Sequence, residues 1–279
     1  MSVSRLVRRS SWVLCALLLS SVVAQGQTGQ QSQQQKFEPQ VGQAGKDVVW
    51  VPTSDALVAK MLDLAKVTAK DHVIDLGSGD GRTVIAAAKR GARAHGIEYN
   101  PEMVELAKTR AAEAGVADRA TFEKADLFES DFSKATVITM FLLPSINMKL
   151  RPKLLDLAPG TRIVSNTFTM EDWSADETST IEGDCSSWCT ALLWIVPAKV
   201  AGTWQLPKGQ MTLTQTFQMV NGTLKSSAAG TITEGRLRGS DLSFTVGTTH
   251  YTARVNGNTM EGTATTGSTK QPFKATKVG

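Results

Sequence analysis

The segment Val73-Ile74-Asp75-Leu76-Gly77-Ser78-Gly79-Asp80-Gly81-Arg82 constrains this chain more than any other. A short apolar run predicts a buried strand, three alternating glycines predict a tight loop, and the Ala-rich stretch 82–90 predicts a helix opening from that loop. Glycine lets main chain approach a ligand where a Cβ would collide, so this strand–loop–helix suits a ligand held against backbone. The spacing is G-x-G-x-G rather than the dinucleotide G-x-G-x-x-G, and an acid, Asp75, ends the strand. Asp75 and Asp80 would repel a pyrophosphate, but not a ligand with a cationic amino-acid portion.

Around this segment the pattern alternates. Residues 54–66 place Leu57, Val58, Met61, Leu62 and Ala65 at helical spacing behind Thr53 or Ser54 as cap. A strand is expected over 94–98, and a helix over 101–114 with Pro101 in its first turn and Gly115 at its end. Strands near 120–124, 136–141 and 161–167, with a helix over 146–157, complete a βαβ series. That series predicts an α/β domain over 47–199, a mostly parallel sheet with helices on both faces. Residues 200–279 differ: Thr- and Gly-rich, with period-2 runs and the dipeptides Asn221-Gly222 and Asn256-Gly257 expected at hairpin turns. They predict a small antiparallel β-module, a sandwich or open barrel. It has no cluster of titratable groups, so no chemistry is assigned to it. Asn221-Gly222-Thr223 also spells a glycosylation sequon, and the turn is the preferred reading.

Two further acids fall in register with the glycine loop. Glu98 ends the second strand, where a carboxylate can accept both hydroxyls of a ribose. Asp126 ends the third, where it could accept an adenine amino group while Leu127 packs on the ring. Three acids at successive strand ends beside a glycine loop point to S-adenosylmethionine.

Over about residues 47–173 the chain resembles the class I, seven-strand S-adenosylmethionine-dependent methyltransferases, which implies a Rossmann-like sheet. Val51-Pro52-Thr53, Asp75–Arg82 as quoted above, Gly96-Ile97-Glu98-Tyr99-Asn100-Pro101 and Ala125-Asp126-Leu127-Phe128 are similar to the small lysine methyltransferases that include the ATP synthase c-subunit enzyme. Asn147-x-x-Leu150-x-x-x-Leu154 followed by Gly160-Thr161-Arg162-Ile163-Val164-Ser165 is similar to the nucleosome-core histone lysine methyltransferase. The resemblance implies that Thr53 meets the methionine end of the cofactor. It implies that Asp75, Gly77 and Gly79 hold the amino-acid portion, within the loop that also carries Ser78, Asp80 and Gly81. Glu98, next to Tyr99, takes the ribose, and Asp126 with Leu127 the adenine. One departure concerns the acceptor. Amine methyltransferases often carry Asn/Asp-Pro-Pro-aromatic after the fourth strand, whereas this chain reads Phe141-Leu142-Leu143-Pro144. Phe141 is the candidate for shielding the sulfonium and acceptor from water, with a plain core role as its alternative. Glu171 and Asp172 are weak candidates for a general base, and a surface role suits them better.

The N-terminus carries Arg5, Arg8 and Arg9, then an apolar run from Trp12 to Val23 and the small residue Ala24. This is the pattern of a secretory signal over 1–24, with an uncleaved anchor as the alternative. Residues 25–46 begin with a Gln-rich stretch and are expected to form a disordered tether. The whole chain of 279 residues counts 30 basic against 26 acidic residues, and losing 1–24 removes three arginines and no acid. The near balance that remains excludes a nucleic-acid footprint. Two cysteines then remain, Cys185 and Cys189 in CSSWC, which an oxidising compartment would pair as a disulfide. CxxxC without a second ligand pair, and with His72, His95 and His250 elsewhere, predicts no metal site.

The expected function is methyl transfer, with a protein lysine as the acceptor to which the resemblance points. An exported protein that binds an adenosine ligand without methyl transfer, or acts through its β-module, is the rival that the export signal favours. Export of the chain conflicts with a cofactor made in the cytoplasm. An aminopropyl transferase is a further enzyme alternative, unsupported by any visible polyamine pocket.

Overall fold

The computed structural model describes residues 37–183, 185–226 and 229–278. The export signal expected over 1–24, and the tether as far as residue 36, lie outside the described residues.

The first helix, α1 (Asp55–Leu64), starts where the Ser54 hydroxyl accepts the Leu57 N–H at 3.3 Å. The series then runs β1 (His72–Leu76), α2 (Arg82–Lys89), β2 (Arg93–Glu98), α3 (Pro101–Glu113), β3 (Ala120–Lys124), β4 (Val137–Met140), α4 (Pro144–Leu155) and β5 (Arg162–Asn166). Each element from β1 to β5 overlaps a segment expected from periodicity. Two strands had no such signal, β6 (Glu177–Thr180) and β7 (Thr190–Ile195), and they complete a sheet of order β3-β2-β1-β4-β5-β7-β6. The five strands β1 to β5 pair in parallel, and β7 runs antiparallel to both β5 and β6. Parallel strands are covered on both faces, which is why β1 and β4 are nearly continuous apolar runs. Val73, Val137 and Val164 face the layer of α1, α2 and α3. Ile74, Ile138 and Ile163 face the layer of α4, Trp173 and Trp194.

The β-module is a closed barrel rather than a sandwich or an open one. Its strands are β8 (Gly202–Leu206), β9 (Gly209–Thr216), β10 (Met219–Ser226), β11 (Gly230–Arg238), β12 (Asp241–Val246), β13 (Thr249–Asn256), β14 (Thr259–Thr266) and β15 (Thr269–Val278). Neighbours in sequence pair antiparallel, and β15 closes on β8 through Thr276, Lys277 and Val278. Closure leaves no free strand edge. Inward positions are filled: the Phe244 and Tyr251 rings stack with centroids 4.6 Å apart, and Trp204 is fully buried. Asn221-Gly222 is not a hairpin turn. It lies inside β10 at a register irregularity, where a Cβ on Gly222 would stand 2.0 Å from the Thr212 carbonyl oxygen. The turn is Phe217-Gln218 instead, with Phe217 in the left-handed region at φ 52°. At the other dipeptide, Asn256 ends β13 and the turn residues are Gly257-Asn258.

The barrel docks on the sheet through this Phe217 turn, whose ring stacks on Trp173 at 5.8 Å. Gln218 donates to the Ser174 carbonyl at 2.8 Å, and Arg236 pairs with the buried Asp176 carboxylate at 2.7 Å. The barrel therefore braces the chain that leads into β6. Among the described residues no helix is long and apolar enough to cross a membrane, and none of their His, Cys, Asp and Glu side chains group to hold a metal ion.

Candidate functional site

The strand order reverses between β1 and β4, and an open α/β sheet leaves a crevice at the carboxyl ends of its strands at such a point. The glycine loop borders it. The N–H groups of Gly77 and Ser78 both donate to the Ile97 carbonyl, at 2.9 and 3.0 Å, which ties the loop to β2. Gly77 and Gly79 have φ of 77° and 51°, conformations that cost little only for glycine.

Glu98 is oriented by backbone. Its Oε2 accepts the Gly79 N–H and its Oε1 the Asn100 N–H, both at 2.9 Å. A carboxylate has about four acceptor positions, so each oxygen keeps capacity for a ligand hydroxyl. Asp75 is buried, and Thr139 Oγ1 donates to its Oδ1 at 2.6 Å. Burial pushes its pKa up to about 7; the Thr139 bond opposes this, and the neighbouring charges of Glu98 and Asp80 add to it. A cationic group arriving beside Asp75 would favour the ionised form.

Asp80 behaves differently. Although burial opposes ionisation, hydrogen bonds and charge from Arg82, then charge from Arg110, hold its carboxyl below the usual range. Arg82 Nη2 lies 2.7 Å from its Oδ2, and Arg110 pairs with the same oxygen. The charge of Asp80 is thus compensated within the protein, which weakens the repulsion of a pyrophosphate expected from it.

Of the candidate cofactor residues, Thr53, Asp75, Gly77, Ser78, Gly79, Asp80, Glu98, Tyr99, Asp126 and Leu127 line one pocket, as does Phe141. Gly81 is not on its wall. It is the residue before α2, in the left-handed region at φ 81°, and a Cβ there would sit 2.7 Å from the Ala107 Cβ and 2.8 Å from the Phe122 ring. Its lack of a side chain lets the loop pack against α3 and β3. Thr53 is held at the pocket by Asn166, whose Nδ2 donates to its Oγ1 at 3.2 Å. Glu171 and Asp172 lie off the pocket, and Asp172 pairs with Arg151.

Residues 43–46, which composition assigned to the tether, form part of the wall together with 47–52. Gly42 N–H donates to the Trp50 carbonyl and Trp50 N–H to the Gln43 carbonyl, which closes this strap on itself. The Trp50 indole lies against Gly79, where an added Cβ would meet its Nε1 at 2.6 Å. Lys46 donates to Asp126 Oδ2 and sits 5.1 Å from the Tyr99 ring centroid. Lys46, and then the Phe128 N–H, hold the Asp126 carboxyl below the usual range. Asp126 thus already has a cationic partner at the position expected to receive adenine. The apolar run Val48-Val49-Trp50 was the sign in the sequence that the tether ends early.

Cys185 and Cys189 are joined by a disulfide in the loop between β6 and β7, with Cα atoms 5.8 Å apart. Phe141 stacks on Phe168 at 5.8 Å and meets the edge of Trp188, in that loop, at the same centroid distance.

Residues 75–177 match the ANTKMT methyltransferase domain family. A protein-lysine N-methyltransferase of Saccharolobus islandicus is 45% identical over 138 residues, which take in 86% of that protein and 48% of this chain. The Mus musculus lysine N-methyltransferase named for the ATP synthase c-subunit is 40% identical over 140 residues, 56% of its length and 50% of this chain. An RNA methyltransferase of Salinibacter ruber, solved in complex with S-adenosyl-L-homocysteine, superposes with a TM-score of 0.51 at 49% identity and covers 54% of this chain and 96% of its own. A binding protein without methyl transfer finds no support among these relatives. With the sheet order, the glycine loop and the acid-lined pocket, these likenesses lead to one conclusion: the chain belongs to the S-adenosylmethionine-dependent methyltransferase family that includes the archaeal protein-lysine N-methyltransferase.

Proposed function

We propose that this chain methylates a lysine side chain of a protein, and that it does so after export. The observation that carries the cofactor part is the convergence of Asp75, Glu98 and Asp126 on one pocket with the glycine loop. The donor set fits S-adenosylmethionine: a buried carboxylate for an ammonium group, a backbone-oriented carboxylate for vicinal hydroxyls, and a glycine loop whose left-handed turns carry the main chain along the pocket wall. Bound there, the cofactor supplies a methyl group on a cationic sulfonium, ready for attack by a nucleophile.

The protein's own part is to bind, orient and exclude water. Asp75 balances the amino-acid charge, Glu98 fixes the ribose, and Phe141 keeps the pocket apolar between cofactor and acceptor. A lysine must lose its proton before it can attack, and its pKa of about 10.4 in water falls when the amine enters an apolar site. The lysine acceptor is supported by the archaeal and mouse relatives, which are named as lysine methyltransferases. The Salinibacter protein is named for RNA, so label found in RNA is the outcome that separates that acceptor from a lysine. Export is supported by the pattern of residues 1–24 and by the Cys185–Cys189 disulfide, a bond that persists in oxidising compartments.

The test is label transfer from methyl-labelled S-adenosylmethionine to proteins of a cell-envelope extract, followed by hydrolysis. Labelled methyllysine is expected. Label confined to RNA, or no heat of cofactor binding in calorimetry, would refute the proposal. Sequencing the N-terminus of the isolated protein tests export, with Gln25 expected as the first residue.

A further inference from the structure

We propose that Phe141, Phe168 and Trp188 form the wall that receives the acceptor lysine, and that the Cys185–Cys189 disulfide holds Trp188 in that wall. This rests on the lysine reading above and adds which residues select the acceptor.

The three rings come from neighbouring parts of the sheet. Phe141 follows β4, Phe168 follows β5, and Trp188 lies in the β6–β7 loop, with β4, β5 and β7 adjacent in the sheet. Phe141 belongs to both assemblies: it lines the cofactor pocket and touches both other rings. The trio thus leads from the pocket to the surface, where Trp188 is 43% exposed. An aromatic with that exposure is not core packing; its free face is available to a partner.

Two rings are held by identifiable groups. The Phe168 carbonyl accepts from Ser165 Oγ at 2.8 Å and from the Nδ2 of the fully buried Asn147 at 3.3 Å. Trp188 sits within a disulfide-closed loop, one residue before Cys189. Without that bond the loop would gain freedom, and an exposed indole packed edge-on against one ring would have little else to keep it there.

The chemistry matches a lysine. Aromatic faces attract the ammonium of an arriving lysine and pack its methylene stem, so the wall selects this side chain. The charge of the stretch 163–198 is only partly compensated: Asp172, Asp176 and Glu177 pair with Arg151, Arg236 and Arg238, while Glu171 and Glu182 are exposed. Those two exposed carboxylates attract a basic acceptor segment and repel an acidic one.

The test uses the full-length, air-oxidised protein, methyl-labelled S-adenosylmethionine and poly-L-lysine, with methyllysine measured after hydrolysis. Trp188→Ala is expected to raise KM for poly-L-lysine about fivefold, a larger effect than its lowering of kcat, and to leave the cofactor Kd unchanged. Trp188→Phe is expected to recover most of the loss. Cys185→Ser with Cys189→Ser is expected to reproduce the Trp188→Ala result. Methyllysine formed with KM unchanged in Trp188→Ala overturns the aromatic wall alone. A parallel loss of cofactor affinity also overturns it, because the ring would then be supporting the fold. Unchanged KM in the double serine variant overturns the role of the disulfide. No methyllysine from the wild type with cofactor bound overturns the lysine reading and the wall with it.

Discussion

The seven-stranded sheet ends its parallel strands in loops that part where the strand order reverses, whereas the eight-stranded barrel closes on itself and fills its interior with Trp204, Phe244, Tyr251 and Phe273. Both bury apolar strand faces. Only the open sheet leaves carboxylates and a glycine loop lining unfilled space. Burial of strands and construction of a site are separable tasks, and this chain gives them to separate parts. The barrel contributes rigidity, through Phe217, Gln218 and Arg236, to the segment that leads toward the disulfide loop.

The largest effect that would test this division is in the barrel. Trp204→Ala removes a fully buried indole and its 2.8 Å bond to the Val200 carbonyl, and should cost about 3–5 kcal/mol in unfolding experiments. Cofactor affinity measured below the new melting temperature should stay within about twofold, since additivity holds for distant sites. A large loss of affinity would break the comparison.

Gly81→Ala comes next. The left-handed φ and the contacts with Ala107 and Phe122 predict a loss of roughly 1–3 kcal/mol in stability. A variant that instead keeps wild-type stability but loses cofactor affinity would return Gly81 to the binding residues.

Asp75→Asn should weaken S-adenosylmethionine at least about tenfold, on the order of 1.4 kcal/mol, in calorimetry. Its pH dependence sharpens the point. The folded pKa, near 7, lies above the ordinary value of 3.8, so Asp75 stays protonated on folding while the unfolded chain ionises. Stability from this group is therefore present below about pH 4 and lost as pH rises toward 7. Cofactor affinity should move the opposite way, rising toward pH 7 and levelling above it, because the ammonium favours ionised Asp75. Asp75→Asn should flatten both profiles.

The smallest expected effect is at Lys46. Its pair with Asp126 is solvent-exposed, so Lys46→Ala should change cofactor affinity by less than about threefold and leave the melting temperature unaltered. A larger gain in affinity would mean that Lys46 competes with the ligand for Asp126.

Much of the site is legible in the sequence, because its signals are local. A strand running into alternating glycines and a helix is specified by neighbours in sequence, and the βαβ alternation placed Glu98 at the end of β2, whereas Asp126 lies just past the end of β3 at Lys124 rather than in the strand. The strands β6 and β7 were not legible by period: Glu177–Thr180 is polar and half-exposed, and Thr190–Ile195 is apolar at every position after Thr190. The Asn221-Gly222 turn failed for a related reason. The dipeptide tolerates a turn, but closure of the barrel placed it inside β10, where only glycine allows the approach of Thr212.

By itself, then, the sequence determined the glycine loop, the acids near it, the positions of the first five strands along the chain and the presence of a second β-rich part. Each depends on short-range pattern and on the two-residue or 3.6-residue period of burial. The tertiary structure decided what those groups face. It neutralised Asp80 with Arg110 from a different helix, left Asp75 buried with a raised pKa, turned Gly81 toward packing, folded the strap of Lys46 and Trp50 onto the pocket, and gathered three rings from three strand ends beside the disulfide. These are relations between residues far apart along the chain, and burial, charge pairing and close contact exist only once the chain has closed upon itself.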